Sequence, residues 1–298
     1  MRTIQQLFNW RNCAIAIATL FLCIACATGN PEASISDRTA VEHQNDKPVP
    51  SELASSEPSV PVVGTTVEYA TVDDETVTGY LVQPENAEEP LPAVIAIHEW
   101  WGLNENIEAM ARKIAGEGYT VLAVDLYNDQ IAETPENARQ LMQSVMDNPQ
   151  PARDNLQQAY NYLVNEQNAP KVGTIGWCFG GAWSLQTALM LPETIDATVI
   201  YYGQLVTEAE ELAVLEMPIL GIFGAEDSLI PVTQVREFEE TLADLGKNAE
   251  IIVYEDAGHA FANPSGDRYV PETAMAAWEK TKAFFAKYLK SESLVTAD

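Results

Sequence analysis

From residue 63 onward the apolar positions fall into short runs rich in β-branched residues, separated by segments with a helical period. The runs lie at 67–72, 77–82, 93–97, 120–124, 172–175, 197–202, 219–223 and 250–254. The first two flank the polar "DDET" and are predicted to pair antiparallel. From the third run on, helical patterns intervene at about 105–117, 133–147, 151–167, 180–190, 232–245 and 271–289. Near-continuous apolar strands alternating with helices predict an α/β architecture, in which a mostly parallel sheet of about eight strands carries helices on both faces. Ligands of such sheets bind at the carboxyl ends of the strands. No internal repeat is visible.

The chain ahead of this body has another texture. Residues 1–25 begin with Arg2 and Arg11, continue into the apolar run 14–25 and contain no acidic residue. This is the pattern of a secretory signal, too short for an ordinary transmembrane helix. "LCIAC" at 22–26 resembles a bacterial lipoprotein signal, which implies cleavage before Cys26 and lipid attachment to it. Residues 26–62 are rich in Ser, Pro, Glu, Asn and Asp, and are predicted to be a disordered tether spanning roughly 30–36 Å, with His43 as a solvated residue. A globular α/β body is expected over 63–291 and a short tail over 292–298.

Charge and cysteine usage narrow the function. Without Arg2 and Arg11, 14 basic residues face 44 acidic ones, a net charge of −30. That argues against nucleic acid and against a basic membrane-binding face, leaving a lipid at Cys26 as the membrane attachment. Of the four cysteines, Cys13, Cys23, Cys26 and Cys178, only the last lies in the body. A lone thiol in an exported chain is either buried or used. The reading is an exported monomer on the periplasmic face of a bacterial membrane, with Ala27 favouring the outer one, or otherwise a soluble periplasmic or secreted protein.

Four predicted strand ends carry reactive side chains. The run 93–97 is followed by "HEWWGLN", 172–175 by "GWCFGG", 219–223 by "GAEDS" and 250–254 by "EDAGHAF". Strand, Gly-x-Cys-x-Gly, then helix is the nucleophile-elbow pattern with cysteine in the serine position. The glycines leave room on a tight turn, and the helix N-terminus favours a thiolate. In this pattern nucleophile, acid and histidine follow in that chain order, and here they are Cys178, Asp227 and His259. Cys178 would attack a carbonyl, His259 would carry the proton, and Asp227 would fix the imidazole tautomer. The backbone N–H groups of Phe179 and Trp100 would bind the oxyanion. Each residue has a plainer reading alone: a buried apolar cysteine, a loop histidine, a helix-capping aspartate. Type, position and order together favour the triad.

These residues resemble the dienelactone hydrolases, a family of the α/β-hydrolase fold, through "HEWWGLN", "AVDLY", "IGWCFGG", "YYG", "GAEDSLIP" and "DAGHAFAN", over about 66–290. The resemblance implies cleavage of carboxylic ester or lactone bonds, carboxymethylenebutenolidase-like, without a cofactor. It also implies that Glu99 pairs with the resting thiol and helps to deprotonate it. His98 is expected to be a satisfied structural histidine. The family's substrate-holding arginines are replaced here by Asn128-Asp129 and Asn263, which weakens the case for an anionic substrate. Arg268 is a possible substitute. Trp101, Tyr127, Phe261, Asn263 and Arg268 are the expected pocket residues. Two rival functions are a non-catalytic binding lipoprotein on the same fold and a metal site built from Cys178, His259 and a carboxylate. The body has no CxxC or HExxH pair, the one Cys-x-x-Cys spacing (Cys23 and Cys26) lying in the leader, so no metal is expected, and no phosphate loop or dinucleotide fingerprint implies a cofactor.

Overall fold

The computed structural model describes residues 33–50, 52–264, 266 and 268–290. The signal segment, Cys26 and the 292–298 tail lie outside the described residues. From Ser34 on, the described residues belong to one compact unit. Among them, no helix is long and apolar enough to cross a membrane.

An antiparallel hairpin opens the sheet: β1 (Val62–Val72) and β2 (Glu75–Pro84), with Val72 opposite Glu75. Its two-residue turn places Asp73 and Asp74 at φ 51° and 66°. Two successive left-handed residues match the right-handed twist of a hairpin, and aspartate tolerates that region. Six strands follow: β3 (Ala93–Ile97), β4 (Thr120–Val124), β5 (Val172–Trp177), β6 (Ala197–Tyr201), β7 (Ile219–Gly224) and β8 (Ala249–Tyr254). The order across the sheet is β1-β2-β4-β3-β5-β6-β7-β8, antiparallel to β4 and parallel beyond it. Every residue of β3 to β7 is buried. That is why these strands read as unbroken apolar runs rather than as alternating ones.

The covering helices are α3 (Glu105–Gly116), α4 (Pro135–Asp147), α5 (Gln150–Asn165), α6 (Phe179–Met190), the short α7 (Ala209–Leu212), α8 (Val232–Asp244) and α9 (Pro271–Tyr288). Their starts are written locally. The Asn104 side chain accepts from Ile107 N–H ahead of α3, and Thr134 accepts from Asn137 N–H ahead of α4. Proline opens α4 and α9, where its missing N–H costs no intrahelical bond. Predicted and observed strands and helices agree within a few residues, except that α7 and two elements before the sheet were not foreseen.

Those two elements correct the reading of a disordered tether for its described part, residues 33–50 and 52–62. α1 (Ile35–Glu42) and α2 (Glu52–Ser55) lie in this stretch. Ser34 caps α1 by accepting from Asp37 N–H. Ser36 and Thr39 are buried, Ile35 and Ala40 pack on the core, and Ser36 Oγ donates to Gln143 on α4. The helix docks through small hydroxyl-bearing side chains whose polar groups find partners, so its low hydrophobicity did not signal burial. Ala54 of α2 is likewise buried. His43, expected in solvent, is 1% exposed.

Candidate active site

The carboxyl ends of the parallel strands converge on one place. β3 is flanked by β4 on one side and β5 on the other, so the winding reverses between β3 and β5, where open α/β sheets bind ligands. Glu99 follows β3, Cys178 follows β5, Asp227 lies beyond β7 and His259 beyond β8.

Cys178 sits at φ 53°, ψ −114°, a conformation that a non-glycine residue adopts only when its surroundings enforce it. The strand hands it directly to the helix: its N–H donates to Tyr201 C=O at 3.0 Å, and its C=O accepts from Ala182 N–H at 3.1 Å. A Cβ on Gly176 would stand 2.0 Å from Gly180 O, and one on Gly180 would stand 2.2 Å from Ile97 O. The two glycines are therefore a packing requirement of the turn.

Cys178 Sγ lies 3.2 Å from His259 Nε2, and His259 Nδ1 lies 2.8 Å from Asp227 Oδ2. The other Asp227 oxygen accepts from Leu229 and Ile230 N–H at 2.7 and 2.8 Å, which fixes the carboxylate. All three side chains are buried. Asp227 Oδ2 accepts a hydrogen bond from His259 Nδ1–H, which leaves Nε2 to face sulfur. Burial pushes the His259 imidazolium towards neutrality, but Asp227 and the Cys178 thiolate outweigh it and raise the ring to about 10. Burial also opposes the thiolate, yet the positive ring of His259, with His43 adding to it, holds the Cys178 thiol down at about 6. A thiolate–imidazolium pair is the state that this geometry favours. Phe179 opens α6, so its N–H has no acceptor within that helix and is available to a ligand.

Glu99 is 3% exposed rather than a solvent-facing loop acid. It accepts a hydrogen bond from Asn263 Nδ2, while the hydrogen-bond partner of Sγ is His259. Burial first, and then the Cys178 charge, push the Glu99 carboxyl up to about 8. His98 is fully buried and satisfied on both sides: Nδ1 donates to Glu99 C=O at 2.6 Å and Nε2 accepts from Leu126 N–H at 3.1 Å. Burial lowers its pKa, in keeping with a neutral structural ring.

A cavity of about 340 Å³ opens on Cys178 and His259. Met142, Phe179, Trp183, Leu205, Leu229 and Ile230 form much of its wall, with Ile35 and Thr39 of α1 closing one side. The sequence-predicted pocket residues are not among its lining, which is a correction. Trp101 is fully buried against Trp100, and Phe261 is buried between Tyr202 and Tyr254. Tyr127 packs on His98 and Phe179 and opens on a second cleft of about 260 Å³. Asn263 is spent on Glu99. Arg268 bonds Glu42 C=O and the Asp46 carboxylate, and so clamps the segment after α1 instead of facing a substrate. The apolar character of the pocket holds, but it comes from helix and loop residues brought in by the fold. Asn128, in the place of a family arginine, donates to Glu75 at 2.6 Å. Arg153, an exposed residue, is the one lysine or arginine among the described residues of the cavity lining.

Sequence reasoning missed α1 and His43. The His43 ring lies 4.9 Å from Trp100 and edge-on to His259 at 5.5 Å. Ser34 with Asp37 three positions later is a capping signal that marks the start of a helix, and it stood in the sequence. The buried His43 ring meets Arg268, 225 residues away, a contact that left no local trace.

The model of the Dienelactone hydrolase family matches residues 77–289. The chain belongs to the dienelactone hydrolase family. A relative in Aquifex aeolicus, named "Putative carboxymethylenebutenolidase", is 33% identical over 221 residues, covering 72% of this chain and 94% of its own. "Protein usf" of Aquifex pyrophilus is 32% identical with the same coverage. Among solved structures, one titled a putative dienelactone hydrolase from Klebsiella pneumoniae superposes with a TM-score of 0.69 at 28% identity, over 76% of this chain and all of that one. A dienelactone hydrolase-like promiscuous phosphotriesterase from metagenomic libraries shares the fold, with a TM-score of 0.70 at 23% identity over 77% of this chain and 99% of its own. This family member is thus a dienelactone hydrolase-like hydrolase of ester or lactone bonds acting on a small molecule. Its α1 and His43 precede the residues that the family model matches.

Proposed function

We propose that hydrolysis runs through a Cys178–His259–Asp227 triad and a thioester acyl-enzyme, on esters or lactones with an apolar, uncharged acyl part. The observation that carries this is the unbroken line from Sγ through the imidazole to a fixed carboxylate, opening on an apolar cavity. Cys178 Sγ attacks the carbonyl carbon, and the C=O electron pair moves to an oxyanion held by the Phe179 and Trp100 N–H groups. Collapse expels the alkoxide, which takes its proton from His259. Neutral His259 then removes a proton from water. The hydroxide displaces sulfur from the thioester, the acid leaves, and Asp227 stabilises the imidazolium each time it forms. Protonated Glu99, held by Asn263, adds no second negative charge beside the thiolate below about pH 8.

Mixing enzyme with a neutral aryl ester is the direct test. A burst of one phenol per chain and an acyl mass on the Cys178 peptide are expected, and a Cys178→Ala chain that turns over normally would refute the mechanism. Export belongs to the same proposal: cleavage before Cys26, a lipid on its sulfur, and a monomeric body at the periplasmic face. The basic-then-apolar leader and the single thiol of the body support it. An intact N-terminus in membrane fractions of the expressing cell would overturn it.

A further inference from the structure

His43 reaches the nucleophile from outside the family match. It ends α1, and its Nδ1 stands 2.5 Å from Asp46 Oδ2. With Nδ1 held there, the nitrogen left for the site is Nε2, which is buried and meets no hydrogen-bond partner among the described residues. His259 is arranged in the same way: Nδ1 on Asp227, Nε2 turned to Cys178 Sγ. The site therefore holds two imidazoles, each backed by a carboxylate, and one thiol between them. The three donor atoms lie within 4.8 Å of one another, and all three residues are buried.

A carboxylate behind each imidazole is the support that orients histidine ligands and strengthens them as bases. One thiolate with two imidazole nitrogens suits a borderline-soft divalent ion, and Zn²⁺, which has no ligand-field preference, takes three such donors with a fourth ligand in a tetrahedral set. We propose that His43, Cys178 and His259 form a site for a thiophilic divalent cation, with Zn²⁺ as its probe and the fourth position open to the cavity. On binding, the one proton shared by the Cys178–His259 pair, held on His259 Nε2 in the thiolate–imidazolium state, leaves to solvent, and S–Zn and N–Zn bonds form; nothing is oxidised or reduced. Arg268 Nη2 shares the Asp46 carboxylate and lies 2.9 Å from His43 Nδ1, so the clamp that docks α1 also sets the His43 ring. Binding stands on these donors alone. Its consequence, reversible silencing of hydrolysis because the sulfur and His259 are both occupied, rests on the triad reading.

The experiment uses the full chain, stripped with chelator and titrated first with Co²⁺ and then with Zn²⁺. One Co²⁺ per chain with an intense near-ultraviolet thiolate-to-metal band is expected, with Zn²⁺ displacing it. Asp46→Asn should weaken binding about 10–100-fold, as losses of a ligand's support do, and His43→Gln should weaken it more. Circular dichroism confirms that each variant is folded. Absence of the band in the native chain, or unchanged Co²⁺ affinity in folded His43→Gln, would overturn the site and assign any bound metal to surface carboxylates or to Cys178 and His259 alone. Ester hydrolysis should fall with Zn²⁺ occupancy and return with chelator. Full turnover by the Zn²⁺-loaded chain would keep the site and overturn the triad.

Discussion

The parallel sheet and the α1 segment meet at one site but are specified in opposite ways. The strands β3 to β7 are buried along their whole length and advertise it in their own residues. The segment from Ser34 to Asp46 contributes a cavity wall and a buried histidine while carrying few large apolar side chains. The sheet is held by area removed from water, which needs no particular partner. The segment is held by polar groups that are tolerable in the interior only because particular distant atoms satisfy them. Burial can therefore be written in a local pattern or in a pairing, and only the first is readable one residue at a time.

The largest effect available lies on the sheet side. Cys178→Ala removes the sulfur from a turn whose backbone is set by Gly176, Gly180 and the neighbouring strands. Turnover of a neutral ester should fall by about 10⁴-fold or more, as loss of a triad nucleophile does. Thermal stability should stay near that of the native chain. A large drop in melting temperature would mean that the thiol holds the elbow together instead of merely occupying it.

The sharpest contrast comes from Arg268, which is 21% exposed and joins Glu42 and Asp46 to the loop after β8. Arg268→Met keeps much of the stem volume and deletes the charge. Hydrogen bonds to charged groups contribute about 1.5–3 kcal/mol, so opening of the segment should become about 10–100-fold more frequent. Hydrogen exchange should accelerate over 34–46 and stay unchanged in β3 to β7. Equal acceleration in both would erase the distinction drawn here.

Much of the fold and of the grouping of Cys178, His259 and Asp227 was legible because strand, turn and helix are local grammar. The glycines around Cys178 and the order Cys178, Asp227, His259 needed no tertiary knowledge. The pocket was not legible in the same way. Trp101, Tyr127 and Phe261 look like binding aromatics in the sequence, but large rings next to buried strands are taken up by the core. The cavity goes instead to Met142, Trp183 and Leu205, which the winding delivers. His43 was out of reach because its partners, Asp46 and Arg268, give it a buried polar environment that no neighbour in sequence announces.

Glu99 offers a pH test of burial on the sheet side. Its carboxyl ionises near 4.5 when unperturbed and near 8 in the fold. Between those values the folded chain keeps a proton that the unfolded chain has lost. Its contribution to stability is therefore complete below about pH 4.5 and fades as pH rises through about 8. Urea midpoints at pH 5 and pH 8.5 should differ less in Glu99→Gln than in the native chain. An equal difference in both would assign the pH dependence to other groups.

The smallest effect is the one that decides whether α1 belongs to the site at all. Thr39 is buried, lines the cavity and donates its hydroxyl to Ile35 C=O. Thr39→Leu keeps the helix, which satisfies its own carbonyls, and pushes a larger apolar group towards the space beside Cys178. A cavity wall that moves inward by about one methylene discriminates between acyl chains by roughly 1–3 kcal/mol, or about 10–200-fold. Acetyl esters should be cleaved nearly as before, while longer acyl esters lose kcat/KM towards the lower end of that range. If the chain-length profile does not move, Ser34–Asp46 covers the domain without shaping its substrate. If it moves, this hydrolase has recruited its specificity from a segment that lies outside the residues matched by its family.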